Sequence, residues 1–312
     1  RSSDLLHRDL DVAEAGRTMS APVTVGAVIL TMGNRREELQ RALGSLVSQQ
    51  GVELDAVVVV NGSDPVEVPE GVRVHPLGDN LGIPAGRNAG VAQVGGEYIF
   101  FLDDDSWLLS DTFLSDAIGM LRADPTLGMI QPRIIDPDRR GEEPRRWIPR
   151  LRKGDPARSS EVFSVLETAV VLPRSTFDAT GGWPDEFFYA HEGIELAWRV
   201  WDQGKRVEYR GDLRIGHPVM EPTRHDDYYF KNARNRVWLA RRCLHWPFSW
   251  AYVGSWTLVQ LVRSRDRAAM RTWWRGWRNG WTTTPWPEGR RPRKLRWRTL
   301  ARMTRHGRLP VL

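Results

Sequence analysis

Short, strongly apolar runs separated by segments long enough for a helix most constrain how this chain can fold. The runs VTVGAVIL (23–30), DAVVVV (55–60) and EYIFFL (97–102) are rich in valine, isoleucine and aromatic residues. Such runs are typical of strands that are buried on both faces of a sheet. Leucine recurs at helical spacing over residues 36–50, and residues 86–94 are also predicted to be helical. This alternation predicts an α/β fold with a parallel sheet and right-handed crossovers.

The chain divides into three predicted parts. Residues 1–21 are polar and are expected to form a frayed N-terminal extension. Residues 22–244 form the main α/β domain, and residues 245–312 form a helical appendage that is basic and rich in tryptophan. Further elements expected in the main domain are a short strand at 72–77, an irregular loop at 125–160, a strand pair or strand–turn at 161–177, and helices at 192–204 and 227–244.

Cysteine content and hydropathy indicate the compartment in which the chain works. Cys243 is the one cysteine, which excludes an intramolecular disulfide and favours a reducing compartment. No apolar run reaches the roughly 18 residues of a membrane-spanning helix, since the best candidate, residues 251–262, is shorter and contains polar side chains. No signal peptide is recognised. We therefore expect a cytoplasmic protein.

Charge is distributed unevenly along the chain. Residues 261–312 contain 15 Lys and Arg against 2 Asp and Glu, whereas the whole chain carries only +6. Trp273, Trp274, Trp277 and Trp281 recur at the spacing of one helix face. This helix could dock on an anionic membrane surface, at the inner face of the membrane, and there meet a lipid-linked acceptor. It could also pack on the main domain, or bind nucleic acid, which is the weakest alternative because it rests on the basic tail alone.

Three consecutive aspartates follow the apolar run at 97–102. Asp103, Asp104 and Asp105 end a predicted strand, and ligands of parallel α/β sheets bind outside the carboxyl ends of the strands. A divalent cation with bound phosphate oxygens would relieve the repulsion between these carboxylates, and Mg²⁺ or Mn²⁺ suits such ligands. The alternative is a solvated acidic turn, or a helix N-cap at Asp105 or Ser106.

The order and spacing of several motifs resemble the family 2 glycosyltransferases of GT-A fold, in the style of bacterial rhamnosyltransferase-like members. The motifs are LTMGNR, VNGSD, NLGIPAGRNAG, FFLDDDSWL, GGWPDEFFYAHEGIEL and RIGHP, which together cover the chain from about Val23 to Arg242. The resemblance implies a Rossmann-like, mixed, mostly parallel sheet flanked by helices. It also implies a metal-dependent, inverting transfer of a sugar from a nucleotide-diphosphate donor, UDP- or dTDP-linked, to an acceptor hydroxyl. Cell-surface polysaccharide, glycolipid or glycoconjugate synthesis is the expected setting, with a sugar, a lipid-linked or a small-molecule acceptor.

The resemblance also implies roles for individual residues on the donor side. Mg²⁺ or Mn²⁺ would be held by Asp105 and His217. Two of the donor positions have simpler alternative roles. Arg35 could begin a solvated helix, and Asp64 could serve merely to cap a turn. The implied donor-binding residues are Thr31, Arg35, Asn61, Asp64, Arg87, Asn88, Asp103 and Asp104.

On the acceptor side the chain departs from the family pattern. The family's Glu-Asp pair, which supplies the general base, is Glu192 followed by Gly193 here. Glu192 is the predicted base, and His191 is the alternative because its unperturbed pKa suits proton transfer. Gly182 and Trp183 are expected to floor the acceptor pocket, although Trp183 could equally belong to the core. If Gly193 means that the base is lost, the chain would be a catalytically impaired, carbohydrate-binding or scaffolding protein of the same fold.

Overall fold

The computed structural model describes residues 22–139, 143–150, 152–219, 227–264 and 266–306, so the predicted extension at 1–21 lies outside the described residues. The strands are β1 (Val23–Thr31), β2 (Val52–Asn61), β3 (Val72–Leu77), β4 (Tyr98–Asp103), β5 (Trp107–Leu108), β6 (Leu127–Ile135), β7 (Ser160–Glu161), β8 (Ala169–Pro173) and β9 (Arg206–Gly216). The helices are α1 (Arg36–Val47), α2 (Ile83–Val91), α3 (Phe113–Ala123), α4 (Arg174–Thr180), α5 (Glu192–Asp202), α6 (Tyr228–Cys243), α7 (Trp246–Arg263), α8 (Arg267–Thr282) and α9 (Trp297–Arg305).

The strands form one mixed sheet in the order β3-β2-β1-β4-β8-β6-β9-β5, with β7 paired to β9. Strands β3, β2, β1 and β4 are mutually parallel, β8 is antiparallel to both β4 and β6, and β6 is parallel to β9. Because β1, β2 and β4 run in one direction, their carboxyl ends meet at one edge, where Leu30 pairs with Asp103 and Thr31 with Val60. The predicted fold class is confirmed.

Both faces of the sheet are covered, as the apolar runs predicted. Successive valines of β2 alternate between two hydrophobic clusters, as strand geometry requires: Val57 and Val59 lie in one, and Val58 and Val60 in the other. Helices α1 and α3 cover the second face, and α2, α5 and α6 cover the first. The first face is also covered by buried residues from loops, among them Phe163, Trp183 and Leu295.

The segment predicted to contain an irregular loop, residues 125–160, begins with a regular element, because Leu127–Ile135 forms β6. Gly128, Gln131 and Pro132 interrupt the apolar pattern of this strand. Gln131 is nevertheless buried and satisfied, since its amide donates to the Trp147 carbonyl at 3.1 Å and accepts from the Leu166 N–H at 2.7 Å. Pro132 lies where the β6–β9 register shifts, a position at which a strand tolerates a residue without an N–H.

Three of the four tryptophans that the sequence places on one face of α8 pack into the protein, whereas Trp274 is 41% exposed. Trp273 is buried, and Trp277 and Trp281 pack against the main core. A Cβ atom at Gly276 would lie 2.8 Å from the carbonyl carbon of Phe230 in α6, so glycine permits the close approach of the two helices. The packing interpretation of this helix face is thus the one the structure bears out, while the domain boundary at 244 stays a prediction. No helix in the described ranges is long and apolar enough to cross a membrane.

Candidate active site

A cavity of about 530 Å³ opens at the carboxyl edge of β1, β2 and β4. Its volume is in the range of small-molecule sites, about 300 to 1,000 Å³. Its wall combines strand ends with two later loops, and includes Thr31, Arg35, Asn61, Asp103, Asp104, Asp105, Leu166, Thr168, Phe188, Tyr189 and His217. The edge predicted from the parallel strands is therefore the edge at which the cavity lies.

Three of the lining side chains form a cluster suited to a divalent cation. One ligand atom from each of Asp103, Asp105 and His217 lies within 4.8 Å of the others. His217 follows β9, and its Nε2 atom is 3.3 Å from Asp105 Oδ1, while its buried Nδ1 atom has no hydrogen-bond partner among the described residues. Burial lowers the pKa of His217, but the hydrogen bond and charge of Asp105 outweigh it and raise that pKa overall. Carboxylate and imidazole atoms at this separation fit Mg²⁺ or Mn²⁺.

The middle aspartate is held from β1 and from the loop after it. Thr31 Oγ1 donates to Asp104 Oδ2 at 2.7 Å, and Arg35 Nη1 lies 3.1 Å from Asp104 Oδ1 while also contacting Asp105. Burial raises the pKa of Asp104 to about 6, although the Thr31 hydroxyl and the Arg35 charge act in the opposite direction. Thr31 and Arg35 therefore lie where the resemblance placed them, and both contact the acidic cluster.

The β2 turn presents an amide to the same cavity. Asn61 is buried, accepts a hydrogen bond from the Leu81 N–H at 2.9 Å, and donates to Asn80 Oδ1 at 2.9 Å. These bonds hold two loops together at the cavity wall. Asp64, by contrast, is exposed and does not line the cavity.

Arg87 and Asn88 lie behind the cavity rather than in its wall. Arg87 is 2% exposed and donates to Asp103 Oδ1 at 2.7 Å and to the Glu167 carbonyl at 2.9 Å. Asn88 donates to the Trp183 carbonyl at 2.9 Å and accepts from the Trp183 N–H at 3.0 Å. Arg87 thus orients the first aspartate, and Asn88 anchors the loop that carries Trp183.

The two predicted acceptor residues lie apart from the acidic cluster. Trp183 is 3% exposed and packs edge-on against Phe101 at a centroid distance of 5.1 Å. Together with Gly182 and Asn88 it lines a separate cavity of about 520 Å³. The structure brings together the predicted metal ligands, Asp105 and His217, and most of the predicted donor-binding residues, but it does not bring Gly182 and Trp183 to the same cavity.

The loop before α5 is held in an unusual backbone conformation. Phe188, Ala190 and His191 all have positive φ angles, between 63° and 73°, which non-glycine residues rarely adopt. The buried amide of Asn235 donates to the carbonyls of Tyr189 at 2.6 Å and Ala190 at 2.9 Å. Strain of this kind persists where surrounding contacts enforce it, and it concentrates at functional sites.

Glu192 is buried and His191 is half-buried at the start of α5. The His191 Nε2–H donates to the Asn232 carbonyl at 3.1 Å, and burial, followed by the charge of Arg236, holds its pKa well below the ordinary value. Glu192 is 2% exposed, and its Oε2 atom has no hydrogen-bond partner in the part of the chain that the structure describes. Burial, and then the nearby Glu167 carboxyl, raises the pKa of Glu192 to about 8.

Sequence reasoning missed Glu167. Its Oε1 atom accepts a hydrogen bond from the Gly193 N–H at 2.6 Å, so two carboxyl groups meet at the N-terminus of α5. The signal that could have found it is the glycine at 193, because the absence of a side chain there leaves space for another residue.

The mixed sheet, with a cavity and an acidic cluster at the carboxyl edge of its parallel strands, has the GT-A glycosyltransferase fold. The structure superposes on S. aureus TarS 1-349 in complex with UDP-GlcNAc with a TM-score of 0.57, at 15% identity, covering 81% of this chain and 79% of that one. It also superposes on GalNAc-T7 with UDP, GalNAc and Mn²⁺, with a TM-score of 0.58 at 14% identity, covering 84% of this chain and 56% of that one.

Residues 27–182, half of the chain, match the model of Glycosyl transferase family 2. The chain belongs to this family. It is 25% identical over 260 residues to the pre-mycofactocin glycosyltransferase of Mycobacterium tuberculosis, a match that covers 78% of this chain and 48% of that protein. The chain therefore spans about half the length of this curated relative.

Proposed function

We propose that the protein transfers a sugar, with inversion, from a nucleotide-diphosphate donor to an acceptor hydroxyl. The observation that carries the proposal is the cluster of Asp103, Asp105 and His217 in the wall of the 530 Å³ cavity. The bound UDP and UDP-GlcNAc of the two superposed structures support a pyrimidine-nucleotide donor, either UDP- or dTDP-linked. The products would enter cell-surface polysaccharide, glycolipid or glycoconjugate synthesis.

The acidic cluster is the proposed cation site. Asp105 and His217 would hold Mg²⁺ or Mn²⁺, with Asp103 beside them. When bound, the cation supplies Lewis-acid neutralisation of the leaving diphosphate. The Arg35 guanidinium, which already contacts Asp104 and Asp105, adds positive charge from the chain itself at the same end of the cavity.

Inversion in one step requires a carboxylate that takes the proton of the acceptor hydroxyl as the oxygen attacks the anomeric carbon. The carboxylate we propose for this task is one of the two that lie at the N-terminus of α5, Glu192 or Glu167. His191 is disfavoured, because its Nε2–H is bonded to a backbone carbonyl and its lowered pKa makes the ring a weak base.

A donor screen tests the proposal. Purified protein is mixed with Mn²⁺ or Mg²⁺ and a panel of nucleotide sugars, and binding is followed by thermal shift and turnover by release of nucleoside diphosphate. We expect one donor to stabilise the protein only with metal, an effect lost in Asp105→Ala and kept in the exposed control Asp178→Ala. Absence of any metal-dependent response would contradict the proposal. Donor binding without turnover, with every acceptor offered, would favour the carbohydrate-binding or scaffolding alternative.

We also propose that the protein meets its acceptor at the cytoplasmic face of an anionic membrane, through the outer surface of α7 and α8. Unlike the buried tryptophans of α8, the outer side of α7 exposes large apolar side chains, with Trp246 75% and Leu258 63% exposed. The indole of Trp250 stacks on Trp281 at 4.5 Å, which joins this face to α8. Exposed arginines recur along α8 at the spacing of one face, namely Arg267, Arg271, Arg275 and Arg278. Apolar side chains beside a basic stripe suit an anionic lipid surface.

Vesicle flotation tests this surface. Removal of the whole tail would be uninformative, because Leu295 and Leu300 belong to the main core. The combined variant Trp246→Ser with Leu258→Ser is expected to lose flotation with phosphatidylglycerol vesicles, whereas the exposed control Val47→Ser on α1 should keep it. Equal flotation of both variants, or equal binding of the wild type to phosphatidylcholine vesicles, would contradict the proposal.

A further inference from the structure

We propose that Glu167, rather than Glu192, is the carboxylate that takes the proton of the acceptor hydroxyl. This inference rests on the proposed transferase function and assigns its base. Glu167 lies between Leu166 and Thr168, and both of these neighbours line the cavity. Its Oε1 atom is held at 2.6 Å by the N–H of Gly193, in the first turn of α5. Glu192 is the more deeply buried of the two carboxyl residues, being 2% exposed.

The contact with Glu167, rather than the backbone conformation, explains why residue 193 is a glycine. Its φ angle is not among the positive ones, so the conformation would accept any residue. A Cβ atom at 193 would instead overlap the Glu167 side chain, with Cδ at 2.6 Å and Cγ at 2.7 Å. Cβ atoms essentially never make contacts below 3.0 Å, so a side chain at 193 would require the flexible end of the Glu167 side chain to leave its observed position. The glycine at 193 thus permits the observed contact of Glu167.

The surroundings favour a negative charge on Glu167 over one on Glu192. Glu167 accepts a backbone N–H at a helix N-terminus, where the helix dipole stabilises anions. Burial is the largest influence on the pKa of Glu167 and leaves it raised overall, although the charge of Arg87 and the Gly193 N–H lower it. For Glu192, burial and then the Glu167 charge raise the pKa to about 8 against the charge of Arg87, and its Oε2 atom meets no donor in the described ranges. The other charged group facing both carboxyls is Asp103, which Arg87 pairs. The two carboxyls thus differ, with Glu192 neutral at pH 7.

The step balances without a further reactant. The acceptor O–H gives its proton to the Glu167 oxygen that Gly193 does not hold. The freed oxygen lone pair forms the new bond to the anomeric carbon as the bond from that carbon to the diphosphate oxygen breaks. The diphosphate leaves with the electron pair, and Glu167 ends the step protonated.

Paired amide variants and a transplanted carboxylate test the assignment. Glu167→Gln is expected to lower kcat at least 100-fold with donor affinity unchanged within about twofold, since general bases contribute about 10² to 10⁴. Glu192→Gln, which imitates a neutral acid, is expected to keep kcat within about fivefold. Glu167→Ala combined with Gly193→Asp should regain at least tenfold in kcat over Glu167→Ala alone, whereas Glu167→Ala with Gly193→Ala, the matched control, should not.

Two results would overturn the assignment while leaving the transferase function intact. One is a loss in Glu192→Gln as large as that in Glu167→Gln. The other is a Glu167→Gln variant that transfers sugar at the wild-type rate. The comparison of the two amide variants decides the matter even if the combined variants do not fold. Absence of transfer by the wild type with every donor would instead refute the proposed function, and the assignment with it.

Discussion

Glu192→Gln should stabilise the protein, by an amount that depends on pH. In the folded protein the Glu192 pKa is raised from 4.5 to about 8, so the folded state holds a proton that the unfolded state has released between these values. The free energy of unfolding therefore falls as pH rises from 4.5 to 8, by about 1.4 kcal/mol per pH unit. At pH 7 the cost of protonating this carboxyl is about 3 kcal/mol, and glutamine, which needs no proton, removes it.

Urea unfolding of the wild type and of Glu192→Gln at pH 5, 6, 7 and 8 measures this difference. The variant should be nearly equal to the wild type at pH 5, and its advantage should grow with each step. The matched control is Glu208→Gln, a carboxylate paired with Arg206 and Arg210, whose loss should not become more favourable as pH rises. Parallel stability curves for wild type and Glu192→Gln between pH 5 and 8 would refute the reasoning, because they would mean that Glu192 is ionised in the fold.

Two further substitutions test the packing around the site and under α8. Thr31→Val removes the buried hydroxyl bonded to Asp104 at 2.7 Å and should lower the free energy of unfolding by about 1 to 3 kcal/mol; an unchanged urea midpoint would contradict this. Gly276→Ala would place a Cβ atom 2.8 Å from the Phe230 carbonyl carbon and should lower the free energy of unfolding by about 1 to 3 kcal/mol. Gly254→Ala, which has open space around it in α7, should raise the free energy of unfolding by up to about 1 kcal/mol. Equal effects of the two glycine variants would mean that α8 does not dock closely on α6.

The pattern of the sequence was sufficient to predict the strands that are buried on both faces of the sheet. β1, β2 and β4 could be predicted because each has a central run of apolar residues that is buried on both faces of the sheet. β6 could not be predicted, because Gln131 can be buried in a strand only if distant residues satisfy its amide. Its hydrogen-bond partners lie 16 and 35 residues away in the sequence. The acidic cluster was recognisable from consecutive aspartates, but Glu167 was not, since its position follows from a contact with Gly193 that exists only in the fold.

The three aspartates tolerate one another because each is held by a different part of the chain. Arg87 of α2 pairs with Asp103, Thr31 of β1 with Asp104, and His217 after β9 with Asp105. Arg35 is the exception, because it contacts both Asp104 and Asp105. A cation at Asp105 would therefore compete with the Arg35 guanidinium for this carboxylate. An Arg35 side chain released from Asp105 would be available to the negatively charged donor.

Arg35→Ala should accordingly shift metal and donor affinity in opposite directions. A partly exposed ion pair contributes about 1 kcal/mol, which corresponds to a change of about fivefold in a dissociation constant. Mn²⁺ should therefore bind about fivefold more tightly to the variant in the absence of donor. The nucleotide-sugar Kd at saturating Mn²⁺ should rise, because one positive charge has gone from the cavity. Arg36→Ala, the exposed neighbour, is the control and should change neither affinity. Calorimetric titration measures both constants, and weaker Mn²⁺ binding in Arg35→Ala would show that Arg35 orients Asp105 for the cation rather than competing with it.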